Sequence, residues 1–156
     1  MSNADSYLRY RLQTASLADA DWIAELRAIV LKADLTRLHR YDEVRVRQRF
    51  LSVFQPEYTR LIMVDETPAG CITLRPGDNA DYILEHFYID PAVQGKGIGS
   101  HVLAEVLSDP KLHGRSVMLN VLQGSPARRL YERYGFTLSE QDEVDVFMKL
   151  HIKRCE

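Results

Sequence analysis

Residues 93–100 read Val93-Gln94-Gly95-Lys96-Gly97-Ile98-Gly99-Ser100, and their three alternating glycines separate a predicted strand from a predicted helix. The strand runs from Tyr82 to Ile89, and the helix from Ile98 to Leu107. Glycine permits positive φ angles and close approach of the backbone to a ligand, while the free N–H groups and the dipole of a first helical turn attract an anion. The stretch therefore predicts a binding site for a phosphate or pyrophosphate group.

Three other interpretations of this glycine-rich stretch are weaker. A nucleotide-triphosphatase loop needs Gly-Lys followed by Ser or Thr after a four-residue gap, which the stretch does not supply. A dinucleotide-binding fingerprint would follow the first strand of a parallel βαβ unit, whereas this stretch follows the fourth predicted strand, after antiparallel hairpins. A tight turn that only caps the helix is the third alternative.

The first half of the chain predicts one strand and two helices. Residues 9–14 alternate like a strand, and Asp19 and Asp21 lead into a helix. A polar stretch, Asp34–Tyr41, predicts a loop before a second amphipathic helix that Pro56 ends. The apolar positions at helical spacing are Trp22, Ile23, Leu26, Ile29 and Val30 in the first helix, and Val44, Val46, Phe50, Leu51 and Phe54 around the second.

Antiparallel hairpins and alternating elements make up the second half. Turn sequences at residues 66–69 and 75–79 separate three strand candidates. Besides the strand and helix already named, the predicted elements are strands Arg60–Val64, Gly70–Leu74, Val117–Leu122, Phe136–Leu138 and Val144–Leu150 and a helix Ala127–Tyr134. This order predicts an α/β (α+β) domain over residues 9–150, with tails at 1–8 and 151–156. Helices should cover both faces of one mixed, mostly antiparallel sheet of six to seven strands.

The composition excludes several classes of protein. A chain of 156 residues with 46% hydrophobic and 27% charged residues is typical of one globular domain. A net charge of -2 gives no basic surface for nucleic acid or anionic lipid, and no apolar run is long enough for a membrane span or a secretory signal. We therefore expect a cytoplasmic protein without nucleic-acid or membrane partners. Cys71 and Cys155 lack metal-ligand spacing, so we expect two plain thiols and no metal site.

Two motifs carry a resemblance to a known family. The stretch Leu84–Leu103 resembles the acetyl-CoA-binding core of the GNAT N-acetyltransferases, whose hallmark is Gln/Arg-x-x-Gly-x-Gly/Ala at the start of a helix, here filled by Gln94, Gly97 and Gly99. Downstream, Ser125–Phe136 resembles the family segment Ala-x-x-Leu-Tyr-x-x-x-Gly-Phe. The resemblance implies the GNAT acyl-CoA N-acyltransferase fold, with acetyl-CoA as co-substrate and no metal.

One position departs from the family pattern. Many members carry an Asn three residues before the Ala of the second segment, where its amide contacts pantetheine, and this chain has Gly124 there. Ser125 and Asn120 are the two candidates to replace that contact.

The resemblance also implies how acetyl-CoA is bound. In such enzymes a separated pair of strands opens a wedge, which pantetheine enters like an additional strand. Pantetheine would pair with the backbone of Phe87, Tyr88 and Ile89. The side chain of Lys96 would either make a charge contact with the co-substrate or simply be solvated. The pyrophosphate would lie on the backbone amides of Gln94, Gly95, Lys96, Gly97, Ile98, Gly99 and Ser100.

Acetyl transfer to an amine requires removal of a proton. An alkyl amine with a pKa of about 10.4 is almost fully charged at pH 7, and freeing it costs about 4–5 kcal/mol. Glu85 is the candidate general base. Strict alternation along the strand places its side chain on one face with Phe87 and Ile89, and places His86 on the opposite face. The alternative for Glu85 is a strand carboxylate that faces solvent or pairs with a neighbour.

Departure of the thiolate calls for a proton donor. Tyr131 occupies the tyrosine position of the family's second segment and is the candidate general acid. The alternative is an aromatic side chain that only packs in the core. A backbone N–H of the strand beside Glu85–Ile89 would stabilise the oxyanion.

The acceptor is the least defined part of the prediction. The resemblance implies that residues 36–43 and 139–145 line the acceptor pocket. The acidic side chains of residues 139–145 either attract a cationic amine or form a solvated turn. They are Glu140, Asp142, Glu143 and Asp145. We expect an N-acetyltransferase that acts on a primary amine of a small molecule or protein by direct attack in a ternary complex. The alternative is a non-catalytic CoA-binding regulatory module, and the sequence leaves a homodimer open.

Overall fold

The computed structural model describes residues 9–154. In this part of the chain, seven β-strands and four α-helices are joined by turns and short 3₁₀ segments. In chain order they are β1 Tyr10–Thr14, α1 Ala20–Arg37, α2 Glu43–Leu51, β2 Thr59–Val64, β3 Thr67–Pro76, β4 Tyr82–Ile89, α3 Ile98–Leu107, β5 Ser116–Leu122, α4 Ala127–Arg133, β6 Thr137–Gln141 and β7 Asp145–His151.

The strands form one mixed sheet in the order β1-β2-β3-β4-β5-β7-β6. Every neighbouring pair is antiparallel except β4 and β5, which run parallel. The parallel pair is joined only where Tyr82 and Ile83 meet Val117 and Met118, and beyond Ile83 the two strands separate. The predicted mixed, mostly antiparallel sheet is confirmed, and a wedge opens in its centre.

Helices cover both faces of the sheet, as predicted. The face under α3 and α4 packs around fully buried residues such as Val102 and Leu103. The face under α1 and α2 forms a second cluster around Ile23 and Phe50. Burial of such aliphatic and aromatic side chains contributes about 1.5–3 kcal/mol each, so both layers stabilise the sheet that carries the wedge.

Element boundaries follow the prediction most closely around the glycine-rich stretch. Both β4 and α3 have the predicted bounds. The loop predicted from Asp34 is wrong, because α1 continues to Arg37, whose guanidinium pairs with the Asp34 carboxylate one turn earlier. The exposed Ile29 also departs from the predicted apolar stripe, since small Ala24 and Ala28 are buried instead.

Further boundaries differ from prediction, among them β6, which ends at Gln141 and not at Leu138. The first hairpin turns at Asp65 and Glu66, both with positive φ, so β3 begins at Thr67 where a turn was expected. At the other end, β7 extends to His151, one residue into the predicted tail. The predicted tail 1–8 and the predicted thiol of Cys155 lie outside the described residues.

Neither a membrane span nor a metal cluster is found in residues 9–154. None of the helices there combines the length and hydropathy that crossing a bilayer would need. In the same residues, His, Cys, Asp and Glu side chains nowhere gather in threes that could hold a metal ion. The thiol of Cys71 is buried and free of any disulfide.

Candidate active site

A β-bulge in β4 sets the direction of every side chain at the mouth of the wedge. The β3–β4 register passes from Thr73 opposite Glu85 to Cys71 opposite Tyr88, so β4 carries one additional residue. The additional residue is accommodated at His86, whose backbone adopts a left-handed φ of 48°. Such a bulge shifts side-chain alternation by one position.

The bulge overturns the predicted face of Glu85. Phe87 and Ile89 pack against the core under α3 and α4, whereas Glu85 lies on the opposite face beside His86 and the end of α2. Glu85 and His86 therefore share a face, contrary to the prediction from strict alternation. The sequence Leu84–Ile89 contains no glycine to mark the bulge, so alternation alone could not detect it.

The separated strands enclose one large cavity of about 1350 Å³. Its wall is built by α1, α2, β4, β5, α4 and the turn between β6 and β7. It brings together nine of the side chains or backbone segments predicted for the site: Glu85, Phe87, Tyr88, Ile89, Gln94, Gly99, Asn120, Ser125 and Tyr131. A cavity of this size is large enough for a small-molecule ligand and a co-substrate arm.

Glu85 is held by an ion pair on the wall of this cavity. Its Oε2 lies 2.5 Å from Nε of Arg75, and its Oε1 lies 3.4 Å from Nη2 of the same side chain. The Glu85 side chain is 24% exposed. The predicted alternative of a paired strand carboxylate is thus realised, and the same carboxylate still borders the cavity.

A buried polar chain lies directly beside Glu85. Arg27 donates from Nε to the hydroxyl of Tyr88 at 2.9 Å, and that hydroxyl lies 3.0 Å from Nδ1 of His86. Because the hydroxyl already accepts from Arg27, we assign its own proton to the bond with Nδ1, which leaves the imidazole proton on Nε2. Among the described residues Nε2 has no hydrogen-bond partner, and it lies 3.9 Å from Oε2 of Glu85.

Burial controls the ionisation of this chain. Desolvation lowers the pKa of His86 to about 4; the Glu85 carboxylate opposes that shift, and the charges of Arg27 and Arg75 add to it. Burial also raises the pKa of Tyr88 far above its ordinary value. At neutral pH the imidazole and the phenol are therefore uncharged.

Tyr131 lies both in the core and on the wall of the cavity. Its ring is buried and meets Phe136 edge-on at a centroid distance of 5.7 Å, as a core aromatic would. It also lines the cavity. Burial raises the pKa of Tyr131 well above its ordinary value, with Tyr88 as a second cause, so the phenol is uncharged at neutral pH.

The glycine-rich stretch forms the predicted start of α3. Gly97 is the N-cap of α3 and has a φ of 80°, which is unfavourable for residues other than glycine. Its carbonyl accepts a hydrogen bond from the backbone N–H of His101. The backbone N–H groups of Ile98, Gly99 and Ser100 lie in the first helical turn, where no intrahelical acceptor exists. These amides are available to bind an anion, and an anion site at this position stays a prediction.

The side chains of this stretch have other partners. Gln94 donates from Nε2 to the carbonyl of Ile89 at 2.8 Å, and the hydroxyl of Ser100 lies 2.7 Å from that of Tyr134. Lys96 is exposed, and the side chain of Ile98 is buried. Any contribution of Ile98 and Ser100 to an anion site is therefore through their backbone amides, whereas the backbone N–H of Gln94 already donates to the Pro91 carbonyl at 3.3 Å.

The departure at Gly124 has a tertiary explanation. A Cβ atom at Gly124 would lie 2.8 Å from Nη2 of Arg37, because that guanidinium reaches across from α1 and donates to the Gln123 carbonyl. The two predicted substitutes are engaged: Asn120 donates to Asp145 at 2.9 Å, and Ser125 accepts from the N–H of Ala127 at 3.2 Å. The space that an Asn would occupy is filled from another helix, which no local motif could predict.

One of the acidic residues predicted near the acceptor, Asp142, fits the alternative of a turn. Asp142 accepts from the N–H groups of Val144 and Asp145, and these backbone bonds lower its pKa. It therefore stabilises the turn between β6 and β7. The same cavity is also lined by Arg40, within the predicted segment 36–43, and by Arg27, Arg45 and Arg49 of α1 and α2, which the sequence analysis did not identify. The available signal was the four-residue spacing of Arg45 and Arg49 on a predicted helix.

Known proteins resemble this chain in sequence over its central part. Residues 56–138, more than half of the chain, match the model of the acetyltransferase (GNAT) domain. An L-methionine sulfoximine/L-methionine sulfone acetyltransferase of Salmonella typhimurium is 34% identical over 70 residues, 43% of this chain and 41% of that protein. A Bacillus subtilis protein provisionally named a phosphinothricin acetyltransferase is 43% identical over 51 residues, 31% of each chain. The chain thus spans less than half the length of either curated relative.

Solved structures share the whole fold at low sequence identity. The PaiA N-acetyltransferase from Thermoplasma acidophilum, solved in complex with coenzyme A, superposes with a TM-score of 0.72 at 21% identity, covering 95% of this chain and 100% of that one. Together with the motif match over residues 56–138, the seven-stranded sheet and its central wedge lead to one conclusion: this chain belongs to the GNAT acetyltransferase family.

Proposed function

We propose that this protein is an acetyl-CoA-dependent N-acetyltransferase that acetylates the primary amine of a small molecule by direct attack in a ternary complex. The observation that carries the proposal is the wedge between β4 and β5, which ends at the first turn of α3 and is bordered by Glu85 and Tyr131. The names of the two curated relatives support a small-molecule acceptor over a protein acceptor.

The co-substrate would be bound mainly by backbone. Phe87–Ile89 of β4 pairs with β3 along one edge and faces the wedge along the other, so its free edge can take pantetheine as an additional strand. The N–H groups of Ile98, Gly99 and Ser100 would bind the pyrophosphate at the start of α3. Bound acetyl-CoA supplies an activated acetyl thioester, and the chain orients it.

Glu85 would take the proton of the attacking amine. Its carboxylate borders the cavity, and the ion pair with Arg75 fixes it in one orientation. Since the bulge turns Glu85 toward α2, the amine would approach from the α1–α2 side of the cavity. Tyr131 would deliver the proton from its Oη to the departing sulfur.

One screen tests the proposal against the non-catalytic alternative. Purified protein is mixed with acetyl-CoA and a panel of small amines, and free thiol is measured over time. We expect thiol release that depends on both protein and amine. Acetyl-CoA binding, measured by calorimetry, without thiol release for any amine would favour a CoA-binding regulatory module, and the absence of binding would contradict the proposal altogether.

A further inference from the structure

We propose that the acceptor amine also carries a carboxylate, and that Arg45 and Arg49 of α2, assisted by Arg27 of α1, bind that carboxylate while the amine points toward Glu85. This inference rests on the proposed function and adds the chemical class of the acceptor.

The two α2 arginines share one face of the helix, and that face lines the cavity. Arg45 and Arg49 are four residues apart, one turn of an α-helix, and both border the cavity. Arg47 lies between them in sequence but turns away, and it forms an ion pair with Glu25 at 2.7 Å. The same short helix thus presents two arginines to the cavity and pairs a third elsewhere.

Carboxylates on the cavity wall do not neutralise these arginines. Among the described residues, none of Arg27, Arg45 and Arg49 has a carboxylate oxygen within ion-pair distance. The positive charge of Arg45 does help to lower the pKa of the exposed Asp42. The other acids of the wall have partners, namely Asp34 with Arg37, Glu85 with Arg75, Asp142 with two backbone amides and Asp145 with Asn120, and Glu143 is exposed.

Two like charges at this spacing destabilise an isolated helix. The acid that interacts with Arg45 is Asp42 at the N-cap, whose carboxylate is exposed and already accepts from the N–H groups of Val44 and Arg45. A ligand carboxylate would supply the compensation, because a guanidinium presents paired N–H donors that match the two oxygens of a carboxylate. The negative charge of Glu85 on the β4 wall of the cavity agrees with this assignment, since that carboxylate would receive the cationic amine.

Arg27 extends the positive wall toward the reaction centre. Its guanidinium is half-buried and oriented by the Tyr88 hydroxyl and by the Val46 carbonyl. The hydroxyl of Tyr88 connects it to His86, which adjoins Glu85. A bound amino acid could therefore place its carboxylate on the α1–α2 wall and its amine near the Glu85 carboxylate.

The test compares matched acceptors. A panel of α-, β- and γ-amino acids, including L-methionine sulfone, is measured against the corresponding carboxamides, which keep the amine and lose the negative charge. For the best pair we expect kcat/KM to be on the order of 10- to 100-fold higher for the carboxylate. In Arg45→Gln/Arg49→Gln the loss should be at least tenfold larger for the carboxylate than for the carboxamide, whereas Arg47→Gln should keep the preference.

Calorimetry separates this inference from the proposed function. The same panel is titrated into protein saturated with CoA, which requires no turnover. Carboxylate binding that is at least tenfold weaker in Arg45→Gln/Arg49→Gln, with an unchanged circular dichroism spectrum, would support the inference even if acetyl transfer failed. Equal use of carboxamides, an unchanged preference in the double variant, or no binding by any carboxylate of the panel would overturn it, while amine-dependent thiol release would leave the proposed function standing.

Discussion

Arg75 of β3 and Glu85 of β4 lie diagonally across the strand pair, with Nε of the arginine 2.5 Å from Oε2 of the glutamate. This ion pair joins two strands that stay hydrogen-bonded to each other, and it does not cross the wedge between β4 and β5. The carboxylate is therefore held by the rigid side of the cavity, and its position should not depend on whether a ligand separates β4 from β5 further. A proposed general base benefits from such fixed geometry.

The first prediction concerns Glu85 itself. Glu85→Gln keeps the shape of the side chain but removes its basicity, and we expect kcat/KM to fall on the order of 10²-fold near neutral pH. The loss should shrink as pH approaches the pKa of the amine, because solvent then supplies the free base. A pH-rate profile of both proteins measures this. Glu132→Gln, on the exposed surface of α4, is the matched control, and parallel profiles would restrict Glu85 to positioning the substrate.

The second prediction separates the two roles of Tyr131. Tyr131→Phe retains the ring packing against Phe136 and removes only the hydroxyl. We expect a large fall in kcat with little change in the dissociation constant of acetyl-CoA, since a proton donor acts only as the thiolate departs. Steady-state kinetics and calorimetry give the two values. Unchanged kcat would leave Tyr131 as a core residue alone.

The third prediction is a pH dependence of stability caused by His86. Its pKa is about 4 when folded, below the ordinary 6.5, so between these values the unfolded chain binds more protons. The free energy of unfolding should therefore fall as pH drops from 6.5 toward 4, by on the order of 3 kcal/mol at most from this group. Glu85, Arg27, Arg75 and Tyr88 surround the imidazole, and burial outweighs the opposing carboxylate.

Urea unfolding of the parent and of His86→Asn checks this dependence. Asparagine tolerates the left-handed backbone at this position and does not titrate. The difference in free energy of unfolding between the two proteins should change with pH across the window from 6.5 to 4 and stay constant above it. A constant difference throughout would mean that the folded imidazole titrates near its ordinary pKa.

The fourth prediction concerns acetyl-CoA and the start of α3. The parent should gain about 2.7 kcal/mol of stability at a ligand concentration one hundred times Kd. Gly97→Val forces a branched residue to a φ of 80°, and should reduce both stability and this ligand-dependent gain. Gly114→Val, at φ 77° outside the glycine-rich stretch, should reduce stability but keep the gain. Thermal unfolding with and without acetyl-CoA distinguishes the two; an equal gain in all three proteins would contradict the assignment of the stretch.

Sequence-based prediction was most accurate for elements whose boundaries are set by residues close to them in the chain. The bounds of β4 and α3 follow from Asp90-Pro91 and from the glycines between the two elements, which act within a few residues of the boundary. The bulge at His86 has no such signal, because it depends on the register with β3. As a result the predicted face of Glu85 was wrong, although its carboxylate borders the cavity.

Tertiary contacts account for the site features that the sequence analysis did not predict. The guanidinium of Arg37 fills the space beside Gly124 only because α1 is longer than its polar C-terminal sequence indicated. The arginines of α2 line the cavity only because that helix packs beside β4. Such neighbours are set by packing between distant parts of the chain, for example across the 86 residues from Arg37 to Gln123, and sequence spacing does not encode them.

The short pairing of β4 with β5 also gives the molecule an internal edge strand. Beyond Ile83, the backbone N–H and C=O groups on the wedge side of β4 lack a partner strand among the described residues. Unpaired strand edges recruit strands from other molecules and promote aggregation. A ligand that lies along this edge therefore also acts as a solubility factor, and concentrated protein should remain monodisperse in light scattering for longer with acetyl-CoA than without it.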